Sequence, residues 1–299
     1  MVMTHRELYL FARNALCQTE SQQTAGLIAR DLICTFSGKT AEQMLAALEY
    51  GADPEVVARV KEGVHRLLDE EPLAYVLGEW EFYGLKLYVS PDVLIPRDDT
   101  CAVTELAINR SLFLEKDPRI LDLCCGSGCI GLAIASRVKD ARITLADISK
   151  EALAIAKKNI ARNTLGGRMS TFQVDVRKHA PGFLGKFDMI VSNPPYITAG
   201  EMQSLPKSVD AFEPHLALYG GEDGLDFYRA IIENYTPILK PEGYLCFEFG
   251  MGRGDAVCNL LEAHGYTIIE RKRDYNDRER AVPVSYTHLR AHETSQDLV

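Results

Sequence analysis

The chain is 299 residues long, which suits two ordinary domains better than one. It is 46% hydrophobic and 25% charged, and this composition excludes a wholly disordered chain, a collagen and a disulfide-rich miniprotein. The formal net charge of −9 argues against DNA or RNA as the direct substrate, because proteins that grip phosphate backbones usually carry a basic face.

Residues 1–71 have the pattern of short helices and nothing else. A first apolar stripe repeats at helical spacing over residues 8–16. Thr40 and Gln43 have the form of a capping box, and Asp53 followed by Pro54 is typical of another helix start. We therefore expect a small all-α domain without evident chemistry, for which a solvated surface and a partner-binding role both stay open.

Residues 72–98 change in character and predict a hairpin or extended linker between two domains. Apolar and aromatic side chains flank the turn-forming pair Tyr83 and Gly84, and Pro91 and Pro96 interrupt the segment. We place the domain boundary in this linker and expect a helix to follow over residues 100–114.

Residues 99–283 alternate between strand and helix patterns. Strands are expected at residues 119–124, 142–147, 171–175, 187–193, 244–249 and 266–270. Helices are expected between them, at residues 129–138, 151–162, 225–239 and 255–264. This alternation predicts an α/β domain in which helices cover both faces of a parallel sheet.

The two ends of the chain and its cysteines complete this description. Residues 284–299 break the pattern after Pro283, which suits a strand interior poorly, and we expect them to be non-native or disordered. No signal peptide or membrane span is expected, so eight cysteines predict free thiols in a reducing, cytoplasmic compartment. The cluster Cys124, Cys125 and Cys129 lacks a distant CxxC partner, and we expect no metal site.

A loop of small residues joins a predicted strand to a predicted helix. Its members are Cys124, Cys125, Gly126, Ser127 and Gly128. Glycines at such a joint let a ligand approach the backbone closely, and the helix N-terminus offers unpaired N–H groups. About 20 residues further on, Asp147 ends the next strand, where an acid accepts hydrogen bonds from ribose hydroxyls. The loop and the acid together favour a nucleoside-containing cofactor over a bare tight turn.

The tetrapeptide Asn193, Pro194, Pro195 and Tyr196 follows the fourth predicted strand of the same domain. Ligands bind at the carboxyl ends of the strands in an open α/β sheet, so Asn193 and the glycine loop are expected to face one crevice. The Asn193 side-chain oxygen and the Pro194 carbonyl can together accept both hydrogens of one planar NH₂ group. Tyr196 would supply an aromatic wall.

Together these residues resemble the class I S-adenosylmethionine-dependent methyltransferases that act on planar amino or amide nitrogens. The resemblance is closer to the HemK-like family, the glutamine methyltransferases of peptide chain release factors, and covers residues 5–282. Three further groups carry it: residues 72–75, Gly78, 81–82, 89–91, 94–97 and Thr100; residues 213–214, 217–218, 220–221, 223–225 and 228–229; and Glu248, Gly250, residues 273–275, Arg278 and Arg280.

The resemblance implies a Rossmann-like, mostly parallel seven-stranded sheet, with a small N-terminal all-α bundle and a β-hairpin linker. It implies methyl transfer from S-adenosylmethionine to the amide nitrogen of the glutamine in a Gly-Gly-Gln motif of release factors, which the N-terminal bundle would also contact. Asn193 and Pro194 would be catalytic, and both would bind the substrate with Pro195 and Tyr196. The residues that would bind the cofactor are Cys124, Cys125, Gly126, Ser127, Gly128, Asp147, Asp175, Val176 and Asn193.

The chain departs from the family pattern at three positions. Cys124 stands where the family has the first loop glycine, and a β-carbon there would make a positive φ costly. Cys101 follows Thr100 where the family often has an acid. Val176 follows Asp175 where an aromatic residue is common, so aliphatic contact rather than stacking is expected to hold the adenine.

Two rival functions remain. Asn-Pro-Pro-Tyr motifs also serve nucleic-acid methyltransferases that modify an exocyclic amine of adenine or guanine, since the acceptor is again a planar NH₂. The acidic charge, the lack of a stretch mixing basic and aromatic residues, and the family-specific linker argue against this alternative. A non-catalytic binding module is the second rival, and the intact motif argues against it.

Overall fold

A computed structural model of the chain describes residues 2–285, which fall into two units. The helical unit runs to Trp80 and also contains Tyr88–Ile95 and Leu205–Pro214. The sheet unit contains Glu81–Leu87, Pro96–Ser204 and the chain from His215 onward. The linker predicted at residues 72–98 is thus divided between the two units.

The described residues form the following regular elements. The helices are α1 (His5–Leu16), α2 (Gln22–Ser37), α3 (Ala41–Ala46), α4 (Pro54–Leu68), α5 (Leu73–Leu77), α6 (Cys101–Ser111), α7 (Cys129–Arg137), α8 (Lys150–Arg162), α9 (Ala199–Met202), α10 (Lys207–Asp210), α11 (Asp226–Tyr235) and α12 (Gly254–Ala263). The strands are β1 (Glu79–Phe82), β2 (Leu85–Tyr88), β3 (Arg119–Leu123), β4 (Arg142–Asp147), β5 (Met169–Gln173), β6 (Phe187–Ser192), β7 (Leu239–Glu248), β8 (Thr267–Ile268), β9 (Lys272–Arg273) and β10 (Glu279–Ser285).

Side-chain caps begin the main helices of the helical unit. Thr4 and Glu7 form a capping box at α1, and Thr40 and Gln43 form the one predicted at α3. Asp53 caps α4 as predicted. The apolar stripes of these helices bury one common core, which includes Leu8, Leu16, Leu32, Ile33, Val60 and Val64.

The hairpin predicted around Tyr83 and Gly84 is confirmed. Strands β1 and β2 form a two-stranded sheet, and the two turn residues have φ values of 52° and 79°. Positive φ at both central residues is typical of a type I′ turn, whose twist matches that of the strands.

The sheet unit contains one mixed sheet with the strand order β5-β4-β3-β6-β7-β10-β8, and β9 pairs with β10 outside this path. Neighbours from β5 to β7 are parallel, and β10 is antiparallel to β7 and β8. The core lies on both faces, because side chains alternate along each strand. In β3, Ile120 packs into one cluster with α6 and α7, while Leu121 and Leu123 pack into another with α11 and α12.

The sequence does not predict strand β10, because proline suits a strand interior poorly and Pro283 lies within it. The structure places Pro283 opposite Cys246 of β7, and its carbonyl accepts the Ile269 N–H at 3.1 Å. Proline lacks only its own N–H, so it fits where no carbonyl needs that donor. Val284 is fully buried and pairs with Leu245, so the strand extends two residues past the predicted end of the domain. The rest of the predicted tail, residues 286–299, lies outside the described residues.

Candidate active site

The sheet register brings the predicted site residues to one edge. Leu123 of β3 pairs with Ala146 of β4 and Ser192 of β6, and Ser192 in turn pairs with Phe247 of β7. The next residues on these four neighbouring strands are Cys124, Asp147, Asn193 and Glu248. The glycine loop and the Asn-Pro-Pro-Tyr turn therefore start side by side at the carboxyl ends of parallel strands, as predicted.

The loop between β3 and α7 turns sharply because three of its residues have a positive φ. Cys124, Gly126 and Gly128 have φ values of 57°, 51° and 81°. A β-carbon at Gly128 would lie 2.8 Å from Cδ1 of Leu145, whereas one at Gly126 would meet no atom within 4 Å. Gly128 is thus required for packing against β4, and the backbone at Gly126 is open to a ligand.

Cys124 adopts the positive φ that its family position demands. An L residue in this region costs about 1–2 kcal/mol, so the loop is strained at this point. Burial raises the pKa of the Cys124 thiol, and it does the same for Cys125 and Cys129. The three thiols are consequently neutral and poor nucleophiles at physiological pH.

Asp147 ties the glycine loop to the end of β4. Its Oδ2 accepts the Gly126 N–H at 2.9 Å, and its Oδ1 accepts the Ser149 N–H at 2.9 Å. Each carboxylate oxygen keeps a second lone pair, which can accept a hydroxyl hydrogen. Burial raises the pKa of Asp147, while these backbone donors oppose the shift.

Asp122 is a buried acid that leads into the loop, and the sequence prediction gave it no binding or catalytic role. It is fully buried in β3, and its Oδ2 accepts the Gly131 N–H at 2.9 Å. Its Oδ1 has no hydrogen-bond partner among the described residues. Burial raises the pKa of Asp122 to about 8. An acid within an apolar strand that leads into a glycine loop is the sequence signal that could have identified it.

Asp175 and Val176 follow β5 at the same edge. Asp175 accepts hydrogen bonds from the Arg177 backbone N–H at 3.0 Å and from Arg177 Nε at 2.9 Å. The side-chain bond from Arg177 lowers the pKa of Asp175. Val176 is 6% exposed and packs into the cluster that contains Leu123 and Ala146.

The Asn-Pro-Pro-Tyr turn follows directly on β6. Pro194 and Pro195 are buried, whereas Asn193 and Tyr196 are partly exposed. Among the described residues none donates a hydrogen bond to the Pro194 carbonyl. This carbonyl and the neighbouring Asn193 side chain are the acceptor pair that the sequence predicts.

Three glycines pack closely against the turn and fix the position of Tyr196. A β-carbon at Gly220 would lie 2.5 Å from Tyr196 Cα, and one at Gly224 would lie 2.4 Å from the Tyr196 carbonyl oxygen. A β-carbon at Gly250 would lie 2.8 Å from Tyr196 Cε2. Hydrogen bonds between Ile197 and the segment containing Gly220 hold the two chains together. These approaches explain why glycines recur in the segments after the motif.

Glu248 is a second buried acid that the prediction did not place in the site. It ends β7, is 2% exposed, and lies near the side chains of Thr100 and Asn193. Burial raises the pKa of Glu248 to about 8, against the effects of Thr100 and of positively charged Arg280. The sequence signal was an acid at the carboxyl end of an apolar parallel strand.

Other classes of site are not found in the described residues. No group of three or more His, Cys, Asp or Glu side chains there is arranged to hold a metal ion. All eight cysteines are free thiols. None of the helices between residues 2 and 285 is long and apolar enough to cross a membrane.

The residues at this edge fit S-adenosylmethionine. The open backbone at Gly126 admits a ligand, and Asp147 has lone pairs left for ribose hydroxyls. The Oδ1 of Asp122 is a buried acceptor without a partner among the described residues. An acid of this kind suits S-adenosylmethionine, which carries a cationic sulfonium and an ammonium group. A positively charged ligand also stabilises the ionised forms of acids whose pKa burial has raised.

Family models match both parts of the chain. Residues 104–209 match the model described as "Methyltransferase small domain", and residues 7–78 match the "PrmC N-terminal domain". The catalytic domain of hMettl16, solved with MAT2A 3′UTR hairpin 1, aligns with a TM-score of 0.53 and 17% identity over 79% of this chain and 81% of that one. At this identity the likeness concerns the fold alone. The fold and the site together define an S-adenosylmethionine-dependent methyltransferase.

Two curated relatives narrow the class. The release factor glutamine methyltransferase of Clostridium acetobutylicum is 39% identical over 211 residues, which cover 71% of this chain and 74% of that protein. That of Haemophilus influenzae is 34% identical over 290 residues, covering 93% of this chain and 97% of that protein. The chain belongs to the release factor glutamine methyltransferase family. The predicted fold class, family and cofactor are thereby confirmed.

Proposed function

We propose that this enzyme methylates the side-chain amide nitrogen of the glutamine in the Gly-Gly-Gln motif of peptide chain release factors. The family and the adjacent acceptors of Asn193 and Pro194 support this substrate, since a glutamine amide offers one planar NH₂ group. The flanking glycines of such a motif would let it enter a narrow crevice. We place the activity in the cytoplasm, where release factors act.

The acceptor pair would act by orienting the nitrogen. A glutamine amide is a poor nucleophile because its lone pair is delocalised into the carbonyl. The Asn193 side-chain oxygen and the Pro194 carbonyl would each accept one N–H, which aims the nitrogen for in-line attack. Both acceptors also stabilise the positive charge that develops on nitrogen, so their effect grows in the transition state. The surplus proton can leave to water after the transfer, and no general base is needed before attack.

The cofactor, when bound, supplies a methyl group activated by a sulfonium. The residues proposed to hold it are Cys124, Cys125, Gly126, Ser127, Gly128, Asp147, Asp175, Val176 and Asn193. Asp147 would accept hydrogen bonds from the ribose, and Val176 would contact the adenine through its aliphatic side chain. The helical unit would recognise the body of the release factor, and two-point binding would raise the effective concentration of glutamine at the site.

Label transfer tests the substrate class directly. The protein is incubated with methyl-labelled S-adenosylmethionine and, in parallel, with purified release factor, tRNA, rRNA and DNA. We expect label on the release factor glutamine; label on a nucleic acid instead would identify an exocyclic-amine methyltransferase, and label on none would favour a binding module.

Two substitutions test the residue roles. Asn193→Ala should lose about two orders of magnitude in kcat, the usual cost of removing a transition-state hydrogen-bond partner, and much less in cofactor affinity measured by calorimetry, because the other proposed cofactor contacts remain. Full activity of Asn193→Ala would overturn the role of Asn193.

Asp147→Ala should instead weaken binding of S-adenosylmethionine. Unchanged cofactor affinity of this variant in calorimetry would remove Asp147 from the ribose site.

A further inference from the structure

Glu248 is buried behind the substrate-facing turn and belongs to none of the roles assigned above. It is 2% exposed, and its Oε2 has no hydrogen-bond partner among the described residues. The side chains of Thr100 and Asn193 lie close enough to its carboxyl to lower its pKa against the effect of burial. A buried carboxyl that contacts a proposed catalytic amide can control that amide's orientation.

The atoms involved define one orientation of Asn193. Its Nδ2 lies 3.5 Å from Thr100 Oγ1, on the side where Glu248 lies, so the amide nitrogen faces inward. The side-chain oxygen Oδ1 is then the atom left to face the substrate. A flipped amide would present an N–H donor to the substrate NH₂, and two donors cannot pair.

We propose that Glu248, together with the Thr100 hydroxyl, is a positioning group that holds Asn193 Nδ2 and thereby keeps Oδ1 available to the substrate nitrogen. This inference rests on the proposed role of Asn193. An ionised carboxylate only accepts hydrogen bonds, so it selects the Nδ2-inward orientation. A protonated carboxyl can donate to Oδ1 and competes with the substrate for that oxygen.

The ionisation of Glu248 provides the readout, because burial raises its pKa to about 8. The groups that face it from the surrounding elements are Asp99, Cys101, Cys129, Tyr196, Tyr228 and Arg280. Arg280 pairs with Asp99 at 2.7 Å, and burial raises the pKa of the two thiols and the two phenols. Those thiols and phenols stay neutral where Glu248 ionises.

The test compares the wild type with Glu248→Gln in methylation of purified release factor between about pH 6 and 9. Wild-type kcat should rise with pH, whereas kcat of Glu248→Gln should not change with pH. The two kcat values should be equal near about pH 6, and the variant should be about tenfold slower near about pH 9. KM for the release factor and affinity for S-adenosylmethionine should change by less than about twofold. The matched control is Glu262→Gln on the exposed face of α12, which should follow the wild type throughout.

Thr100 provides an independent variant pair. Thr100→Val keeps the shape of the side chain and loses the hydroxyl, so its kcat should fall several-fold. Thr100→Ser keeps the hydroxyl, so its kcat should stay close to that of the wild type. A thermal unfolding midpoint of Thr100→Val within a few degrees of the wild type would show that its loss of kcat comes from lost positioning of Asn193 and not from unfolding.

The outcomes distinguish this inference from the proposed function. If the wild type transfers no methyl to a release factor glutamine, the proposed function fails. If it does, but Glu248→Gln retains the wild-type kcat at pH 9 or the wild-type pH profile, only the positioning role is overturned. A loss of cofactor affinity in Glu248→Gln that matches its loss of activity would also overturn the positioning role.

Discussion

At the scale of single residues, the active-site edge concentrates acids that water does not reach. Asp122 and Glu248 both have a pKa raised to about 8 by burial, and each has one carboxyl oxygen without a partner among the described residues. Such groups destabilise a protein when they ionise, because charge is transferred from water into a less polar interior. The presence of two such acids at one edge of the sheet is typical of functional sites.

Asp122 should make the free protein less stable as the pH rises. Its unfolded-state pKa is about 3.9 and its folded-state pKa is about 8, so between these values the folded state binds more protons. Stability therefore falls from about pH 4 to pH 8. Asp122→Asn removes this dependence, and its free energy of unfolding relative to wild type should increase by roughly 3 kcal/mol from pH 4 to pH 7.

Calorimetric unfolding of both proteins without cofactor at several pH values would measure this difference. The exposed acid Asp140, substituted to Asn, is the matched control and should show no trend. A constant difference between Asp122→Asn and wild type would mean that folding does not shift the pKa of Asp122.

Cys124 leads to a second prediction at this scale, because its φ of 57° favours glycine. Cys124→Gly should be more stable than Cys124→Ala by about 1 kcal/mol, since both lose the sulfur and only alanine keeps the strained β-carbon. Alanine variants are usually more stable than glycine variants, and at this position we expect the opposite. Chemical denaturation of the two variants tests this, and alanine as the more stable variant would show that the position carries no strain.

At the scale of elements, the Asn-Pro-Pro-Tyr turn is held by the chain segments around it. Gly220, Gly224 and Gly250 come from two separate segments, and each lies too close to Tyr196 for a β-carbon. Arg253 adds a hydrogen bond to the Asp223 carbonyl at 3.0 Å and an ion pair with Glu201. The rigidity of the turn therefore depends on its neighbours as well as on its two prolines.

Gly220→Ala should disturb the turn directly. The new β-carbon would lie 2.5 Å from backbone, which cannot rotate away, and overpacking of this kind costs about 1–3 kcal/mol. We expect kcat to fall about tenfold or more while S-adenosylmethionine affinity is retained. Gly200→Ala is the control, because a β-carbon there meets nothing within 4 Å. Equal activity of the two variants would show that the turn tolerates displacement.

The elements also show what the sequence could predict. The alternating strands, the glycine loop and the motif after β6 have local patterns, so their positions followed from chain order and from the rule that strand ends share an edge. Strand β10 escaped prediction because its pairing with β7 outweighs the local preference of Pro283. Glu248 escaped because its role depends on Thr100 and Asn193, which are distant in sequence and meet only in the folded chain.

At the scale of the whole molecule, the acidic charge and the two units suit recognition of a folded protein. The helical unit has exposed apolar side chains, of which Leu45 is 64% and Tyr50 is 71% exposed. If the helical unit docks the body of the release factor as proposed, these exposed apolar groups are its candidate contacts.

Substitution of Leu45 and Tyr50 by Ser should raise KM for intact release factor about tenfold and leave kcat unchanged. Methylation of a short Gly-Gly-Gln peptide should not change, because a peptide reaches only the active site. The control replaces Leu112 and Phe113 of the sheet unit, which are 75% and 72% exposed. The same increase in KM for both double variants would argue against a specific docking role.

The position of β10 has a consequence for synthesis on the ribosome. This strand lies between β7 and β8 in the sheet, although both precede it in the chain. While a nascent chain lacks Glu279–Ser285, β7 has no partner on one side and β8 has no connection to the sheet. Ribosome-bound chains that stop before residue 279 should therefore remain protease-sensitive in the sheet unit, and emergence of β10 should make that unit resistant in one step.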